Sequence, residues 1–303
     1  MSGAAAERVG IDVGGSAIKA GRVGADGAVH AKQNWEAPHF DRGPAHVLDG
    51  IAELARSLGV HDALGIGVPG LLDRARGFLI ESPNLPNFKA LDVRGELARR
   101  LGLDPLRVHV ENDANAAAVG EQWLGGARGE HDALVLTLGT GIGGGLILNG
   151  ELFAGEGMAG EVGHVVIAPG GRACGCGRAG CVEQYASATA ARRRALDAGL
   201  PKAAPGDLKR LAELARASDG AERALCFEIG RDLGRGLGPV LCLLDIRCFV
   251  FGGGFSAALD VLEPGIRAGI EERSYGERQH AVRLLRATLG PEAGWIGAAK
   301  LAF

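Results

Sequence analysis

The segment RVGIDVGGSAIKAGRVG, residues 8–24, decides the fold class of this chain. An apolar run ends at Asp12, a Gly-Gly-Ser turn follows, and a second alternating run begins at Ala17. This order is typical of two antiparallel strands joined by a glycine-rich turn. The segment ALVLTLGTGIGGGLILNGEL, residues 133–152, repeats the design about 125 residues later. The repeat predicts a chain built from two related α/β halves.

The composition is that of a globular protein with two domains. The chain has 303 residues, of which 47% are hydrophobic, 23% are charged and 51 are glycine. This much apolar surface excludes intrinsic disorder, and the glycines lack the period of collagen. A net charge of −3 excludes a basic field for nucleic acid, and the glycine-rich stretch 133–150 is too polar to span a membrane. Without a secretory signal at its start, the chain is expected to be cytoplasmic.

Hydrophobic periodicity predicts the elements around the two glycine-rich units. Helices are expected at 44–58, 90–101, 114–126, 183–197, 207–217 and 221–244, and strands at 63–70, 107–113 and 247–254.

Each glycine-rich turn carries a hydroxyl side chain at its tip, Ser16 in the first and Thr140 in the second. The second turn has the glycine spacing of a dinucleotide fingerprint, but a strand follows it instead of a helix, which excludes a Rossmann site. One such turn alone is usually a tight hairpin and nothing more. Two of them, the first preceded by Asp12, favour phosphate binding through backbone N–H groups, with Asp12 near a hydrated Mg²⁺.

The segment GEVGHVVIAPGGRACGCGRAGCVEQYAS, residues 160–187, predicts a metal site. His164, Cys174, Cys176 and Cys181 supply the four ligands of a closed tetrahedral Zn²⁺ shell, which leaves no open position for catalysis. We therefore expect a structural zinc. Two carboxylates, Glu161 and Glu183, flank these ligands and suit a polyhydroxylated substrate, although surface charges are the alternative for either one.

Five segments together resemble the ROK family (repressor, open reading frame, kinase), in particular its glucokinase-type sugar kinases. The segments are IDVGGSAIK, ENDANAAAVGE, LGTGIGGG, GEVGHV and CGCGRAGCVEQYAS. The resemblance implies an α/β protein with the actin-like ATPase (ribonuclease H-like) fold and two α/β domains with an interdomain cleft. The implied small domain comprises 1–113 plus about 289–303, and the large domain, 114–288, carries the zinc-binding loop.

The resemblance also implies an activity: phosphoryl transfer from MgATP to a hexose, most often D-glucose, with Asp113 as general base. A purely structural role for Asp113 as the N-cap of a helix starting at Ala114 is the alternative that the residues leave open. The implied sugar-binding residues are Gly70, Asn84, Asn112, Asp113, Glu161, His164 and Glu183. The implied residues for ATP and Mg²⁺ are Asp12, Gly14, Gly15, Ser16, Lys19, Gly139, Thr140, Gly141, Gly253 and Gly254.

Other members of the family define the alternatives. The acceptor can be an N-acetylhexosamine, mannose or fructose, and Ser16, at a position where threonine is commonest, allows polyphosphate as the donor. A non-catalytic sugar sensor is the alternative from a different class. A DNA-binding repressor is disfavoured because no helix-turn-helix precedes the first glycine-rich turn. The expected partners are a hexose and a nucleotide, with no nucleic acid and no membrane, and a homodimer is expected.

Overall fold

The structure is a computed structural model that describes residues 6–36, 38–82, 85, 87–201, 204–275 and 281–303. Its strands are β1 Glu7–Val13, β2 Ala17–Gly24, β3 Val29–Glu36, β4 Leu64–Val68, β5 Leu71–Asp73, β6 Phe78–Glu81, β7 Lys89–Asp92, β8 Val108–Asn112, β9 Ala133–Leu138, β10 Ile142–Leu148, β11 Glu151–Phe153, β12 Cys248–Gly252 and β13 Arg283–Arg286. Its helices are α1 Pro44–Ser57, α2 Val93–Leu101, α3 Asp113–Leu124, α4 Glu183–Ala186, α5 Ala188–Asp197, α6 Leu208–Ala217, α7 Ala221–Leu244, α8 Leu259–Arg273 and α9 Ala293–Leu301.

The first sheet has the strand order β3-β2-β1-β4-β8. As predicted, β1 and β2 form an antiparallel hairpin across the first glycine-rich turn, whereas β1–β4 and β4–β8 are parallel pairs. All five residues of β4 are buried, which is typical of a strand covered on both faces. The parallel pairs bring the carboxyl ends of β1, β4 and β8 to one edge of the sheet.

The second sheet has the order β11-β10-β9-β12-β13, with β9, β12 and β13 parallel to one another. Helices α7 and α8 pack closely because glycines of each meet the backbone of the other. A Cβ at Gly230 or Gly234 of α7 would overlap the carbonyl oxygen of Leu262 or Ile266 in α8. The predicted helix 221–244 is confirmed over its whole length.

Grouping residues by their contacts divides the chain into two compact units. The first comprises 1–131, 145–159 and 288–303, and the second comprises 132–144 and 160–287. Helix α3 belongs to the first unit, whereas the large domain implied by the resemblance begins at residue 114. No helix in the described ranges is both long and apolar enough to cross a bilayer.

Two predicted helices have different limits. The helix expected at 90–101 begins at Val93, because residues 89–92 form β7 and the Asp92 side chain caps α2 through the Gly95 N–H. The helix expected at 183–197 is divided by Ser187, whose hydroxyl accepts from the Ala190 N–H and starts α5. The short sheet β5-β6-β7, helix α8 and strand β13 were not predicted.

A buried carboxylate fixes the entry to α9. Glu121 is 1% exposed, and its Oε2 accepts from the backbone N–H of Gly126 at 2.7 Å and of Thr288 at 3.0 Å. Its Oε1 accepts from the Leu289 N–H at 2.9 Å. Three N–H groups from two distant segments therefore share one acceptor side chain.

We expect Glu121→Gln to lower the free energy of unfolding by about 1–3 kcal/mol, because the amide replaces one acceptor oxygen with a donor and leaves a buried N–H unpaired. Urea unfolding measures the change. Glu53→Gln, at an exposed position of α1, is the matched control and should change the unfolding free energy by no more than about 0.5 kcal/mol. Equal losses in the two variants would contradict the anchoring role.

Candidate functional site

The carboxyl edge of the first sheet brings together Asp12 and Asp113. Asp12 of β1 pairs with Gly67 of β4, and Val68 of β4 pairs with Asn112, the last residue of β8. Asp113 follows directly as the first residue of α3. The register therefore places both carboxylates at one strand edge, where ligands of open α/β sheets commonly bind.

The protonation of Asp12 depends on its surroundings at this edge. Burial and the nearby negative charge of Asp113 raise the pKa of Asp12 to about 7, against an opposing effect of the Lys19 ammonium. Lys19 is the cross-strand partner of Asp12 in the hairpin. With this pKa, the Asp12 carboxyl is partly protonated near neutral pH, and a nearby cation would favour its ionised form.

Asn112 caps α3, so the alternative role of Asp113 as the N-cap is wrong. The Asn112 Oδ1 accepts from the backbone N–H of Ala114 at 2.9 Å and of Asn115 at 3.2 Å. Its Nδ2 donates to the Gly70 carbonyl at 3.2 Å, which leaves one amide N–H outside these bonds. Asp113 is in the first turn, where the helix dipole stabilises its charge without requiring it as a cap.

Glu111 stabilises the start of α3 through hydrogen bonds. It is 3% exposed, and its Oε1 accepts from the backbone N–H of Asn112 at 2.9 Å and from Asn115 Nδ2 at 3.0 Å. Its Oε2 binds the Arg74 guanidinium, with distances of 2.7 Å to Nε and 2.6 Å to Nη2. Sequence reasoning missed Glu111 and Arg74, because only the fold shows that they are partners.

The first glycine-rich turn is open to a ligand. The Gly14 N–H donates to the Ala17 carbonyl at 3.0 Å, and Gly15 and Ser16 are exposed. Among the described residues, nothing lies within 4 Å of a Cβ built at Gly15. Gly70 differs, because its φ of +127° and the closeness of the Glu81 carbonyl admit only glycine. Asn84, predicted for the sugar site, lies outside the described residues.

In the second unit, Glu183 is tied to the second glycine-rich turn. Its Oε2 accepts from the Ile142 N–H at 3.0 Å, and a Cβ at Gly141 would overlap that oxygen. The other carboxylate oxygen lies 3.8 Å from Cys174 Sγ. Thr140 at the tip of the turn is exposed. Glu183 therefore connects the turn to the cysteine cluster, a link that the sequence spacing did not reveal.

Gly253 and Gly254 lie at the end of β12, beside the second turn. Gly252 pairs with Thr137 of β9, two residues before Gly139. Gly253 has a φ of +79°, and a Cβ there would overlap the Leu138 carbonyl oxygen. The glycines of β12 and of the second turn therefore meet at one edge of the second sheet.

The predicted metal ligands come together in the second unit. The ligand atoms of His164, Cys174, Cys176 and Cys181 all lie within 4.8 Å of one another. The Sγ atoms of Cys176 and Cys181 are 3.6 Å apart, and His164 Nδ1 is 3.6 Å from Cys174 Sγ. A tetrahedron with Zn–S bonds of about 2.3 Å has edges of about 3.8 Å, so the donor set fits Zn²⁺.

His164 presents its two ring nitrogens to different groups. Nδ1 faces the cysteines, whereas Nε2 lies 3.9 Å from Glu161 Oε2. Burial raises the pKa of Glu161, with the charges of His164 lowering it and of Glu183 raising it. The structure thus places Glu161, His164 and Glu183 in one neighbourhood, next to the cysteines.

Comparison with known proteins places the chain in a family. Residues 8–303 match the model of the ROK family. The chain is 34% identical to a glucokinase of Thermotoga maritima, covering 97% of this chain and 96% of that protein, and 32% identical to an N-acetylmannosamine kinase of Escherichia coli, covering 96% and 97%. The crystal structure of a ROK family glucokinase from Streptomyces griseus in complex with glucose and AMPPNP is 33% identical, covers 98% of this chain and 99% of that chain, and superposes with a TM-score of 0.82. The predicted actin-like ATPase fold is confirmed, and the chain belongs to the ROK family.

Proposed function

We propose that this chain is an ATP-dependent sugar kinase that converts D-glucose and MgATP to glucose 6-phosphate and ADP. The observation that carries the proposal is the position of Asp113. It is the first residue of α3 and lies near Asp12, and Asn112 caps the helix in its place. The similarity to curated glucokinases over nearly the whole chain supports the same activity.

In the proposed mechanism, Asp113 accepts the proton of the sugar 6-hydroxyl while that oxygen attacks the γ-phosphorus of ATP. The bond between the γ-phosphorus and the bridging oxygen breaks, and ADP leaves with the electron pair. A positioned general base of this kind contributes about 10²–10⁴-fold to the rate. The bonds from Glu111 and Asn112 keep the start of α3 rigid, which preserves this geometry.

We propose that the residues at the two glycine-rich turns bind a nucleotide and its metal ion. We assign the phosphate contacts to the open backbone and the hydroxyl groups of the two turns. We assign the contact with the adenosine to the turn that follows β12. Mg²⁺, when bound, neutralises phosphate charge, and the raised pKa of Asp12 marks it as a carboxylate that gains from a nearby cation. The proposed residues are Asp12, Gly14, Gly15, Ser16, Lys19, Gly139, Thr140, Gly141, Gly253 and Gly254.

For the sugar, we propose hydrogen bonds from hydroxyl groups to carboxylates and the imidazole, and from the remaining Asn112 N–H to a sugar oxygen. The proposed residues are Gly70, Asn84, Asn112, Asp113, Glu161, His164 and Glu183. We further propose that His164, Cys174, Cys176 and Cys181 hold a structural Zn²⁺, which keeps Glu161 and Glu183 in place.

The Mg²⁺ requirement is expected to depend on pH through Asp12. Protons and Mg²⁺ compete for the Asp12 carboxylate. Below its pKa of about 7 the carboxylate is mostly protonated, so Mg²⁺ must displace the proton in order to bind. The Mg²⁺ concentration for half-maximal rate should therefore rise about tenfold from pH 8 to pH 6, beyond the change that MgATP itself shows. Asp12→Asn is the control and should lose this excess. A requirement independent of pH would contradict the assignment.

A panel of acceptors and donors tests the proposed function. Glucose, N-acetylmannosamine, mannose and fructose are each incubated with MgATP or with polyphosphate, and the phosphorylated sugar and ADP are measured. We expect the highest kcat/KM with glucose and ATP. Turnover confined to N-acetylmannosamine would favour the second candidate, which the similarity to N-acetylmannosamine kinases suggests. Sugar binding without any phosphorylated product would indicate a sensor.

A further inference from the structure

The C-terminal helix α9 contacts the Asp12 carboxylate through a glycine. A Cβ built at Gly294 lies 2.5 Å from Asp12 Cγ and 2.7 and 2.9 Å from its two carboxylate oxygens. Real Cβ atoms do not approach so closely, so any side chain at position 294 would displace the carboxylate. The backbone of α9 therefore forms one wall around Asp12.

Strand β4 lies near the Asp12 carboxylate as well. A Cβ built at Gly67 of β4 would lie 3.4 Å from the Cα of Asp113 and 3.9 Å from Asp12 Oδ1. Strand β4 and helix α9 thus both lie beside the Asp12 carboxylate, and β4 also lies beside the start of α3. Packing of this kind leaves the side chain little freedom to rotate.

Helix α9 packs closely against β1, β4 and α3 through backbone contacts at glycines. A Cβ at Gly10 of β1 or Gly65 of β4 would overlap the carbonyl oxygens of Trp295 and Ala298, and one at Gly297 would overlap that of Ala116 in α3. Backbone meets backbone at each point, so no flexible side chain absorbs a displacement. Because β1, β4 and α3 also carry Asp12, Gly67 and Asp113, the helix is held by the elements that build the site.

The start of the helix is held as well. The Glu121 carboxylate of α3 binds the N–H groups of Thr288 and Leu289, a few residues before α9 begins. The first turn of α9, which contains Gly294, therefore has a fixed position relative to α3.

We propose that Gly294 is a positioning residue for phosphoryl transfer, which acts by holding the Asp12 carboxylate in the orientation that serves the metal-bound phosphates. This inference rests on the proposed function, because Asp12 is the residue that we assign to Mg²⁺. The experiments below distinguish a failure of the contact between Gly294 and Asp12 from a failure of the assignment of Asp12 to Mg²⁺.

The first experiment uses Gly294→Ala with glucose and MgATP. The methyl group should displace Asp12, so we expect kcat to fall at least about tenfold and the Mg²⁺ concentration for half-maximal rate to rise. The KM for glucose should stay the same, because the three atoms nearest to the added methyl group all belong to Asp12, which is not a proposed sugar residue. An unchanged Mg²⁺ requirement, or a loss confined to glucose KM, would overturn the proposal.

A double-mutant cycle with Asp12→Ala tests whether Gly294 acts through Asp12. Gly294→Ala should lower the midpoint of thermal unfolding by several degrees in the wild-type background. Its effect should be much smaller in the Asp12→Ala background, where the carboxylate atoms that the methyl group would overlap are absent. Equal losses in both backgrounds would overturn the proposal. Full kinase activity of Asp12→Ala would instead overturn the assignment of Asp12, whatever the cycle shows.

A second variant covers the case in which Gly294→Ala does not fold. Glu121→Gln loosens the entry to α9 without adding bulk beside Asp12. It should raise the Mg²⁺ requirement at unchanged glucose KM, in the same direction as Gly294→Ala. A wild-type Mg²⁺ requirement in this variant would count against a positioning role for α9.

Discussion

Asp113→Asn is expected to lower kcat by about 10²–10⁴-fold while the dissociation constant for glucose stays nearly the same. The amide has the shape of the carboxylate but cannot accept the proton of the sugar hydroxyl. Because Asn112 caps α3, the change removes no helix cap, and the loss of a favourable charge at the helix start costs about 0.3–1 kcal/mol. Steady-state kinetics and isothermal titration with glucose measure the two effects separately.

Asp92→Asn is the matched control for this variant. It makes the same substitution at the start of α2, where Asp92 is a true N-cap that asparagine replaces well. Wild-type kcat is expected there. If Asp113→Asn lost glucose binding together with turnover, or kept its turnover, Asp113 would not be the general base.

Cys181→Ser is expected to abolish binding of the proposed zinc ion and to weaken sugar binding. Cys181 is fully buried, and the backbone around it pairs with residues 165–168 near His164. With one thiolate missing, the ion is lost and His164, Glu161 and Glu183 lose their common anchor. We expect less than about a tenth of an equivalent of zinc and a glucose KM about 10–100-fold higher. Elemental analysis and kinetics measure the two quantities.

Cys242→Ser provides the control for the zinc prediction. Cys242 is exposed near the end of α7, and its Sγ lies 3.6 Å from the Arg273 carbonyl, away from the predicted ligands. Zinc content and KM should match the wild type. Wild-type protein purified without stoichiometric zinc would refute the proposed metal site.

The strongest local patterns were sufficient to predict much of the fold and site. The glycine-rich hairpins, the cysteine–histidine cluster and the long helix 221–244 each depend on neighbouring residues, so sequence alone could indicate them. The identity of the α3 cap could not be predicted in this way. Asn112 and Asp113 are both good caps, and the Asn112 side chain is held by a hydrogen bond to the Gly70 carbonyl, 42 residues away.

Other features of the fold depend on residues that are distant in the sequence, so local patterns do not predict them. Glu111 carries no local signal for a buried position, and its burial depends on the ion pair with Arg74, 37 residues away. The glycine-rich turns are predicted to bind phosphate through their backbone, and the open space around Gly15 leaves room for a ligand there. Gly10 and Gly65 instead make room for the backbone of α9, which no local pattern around them indicates.

The most direct test of the central claim is the stoichiometry of one reaction: glucose with MgATP and purified protein, followed by quantification of both products. A glucose kinase with Asp113 as its base yields one glucose 6-phosphate for each ADP, and the rate collapses in Asp113→Asn. Release of ADP without a phosphorylated sugar, or glucose binding with no ADP at all, would contradict the account.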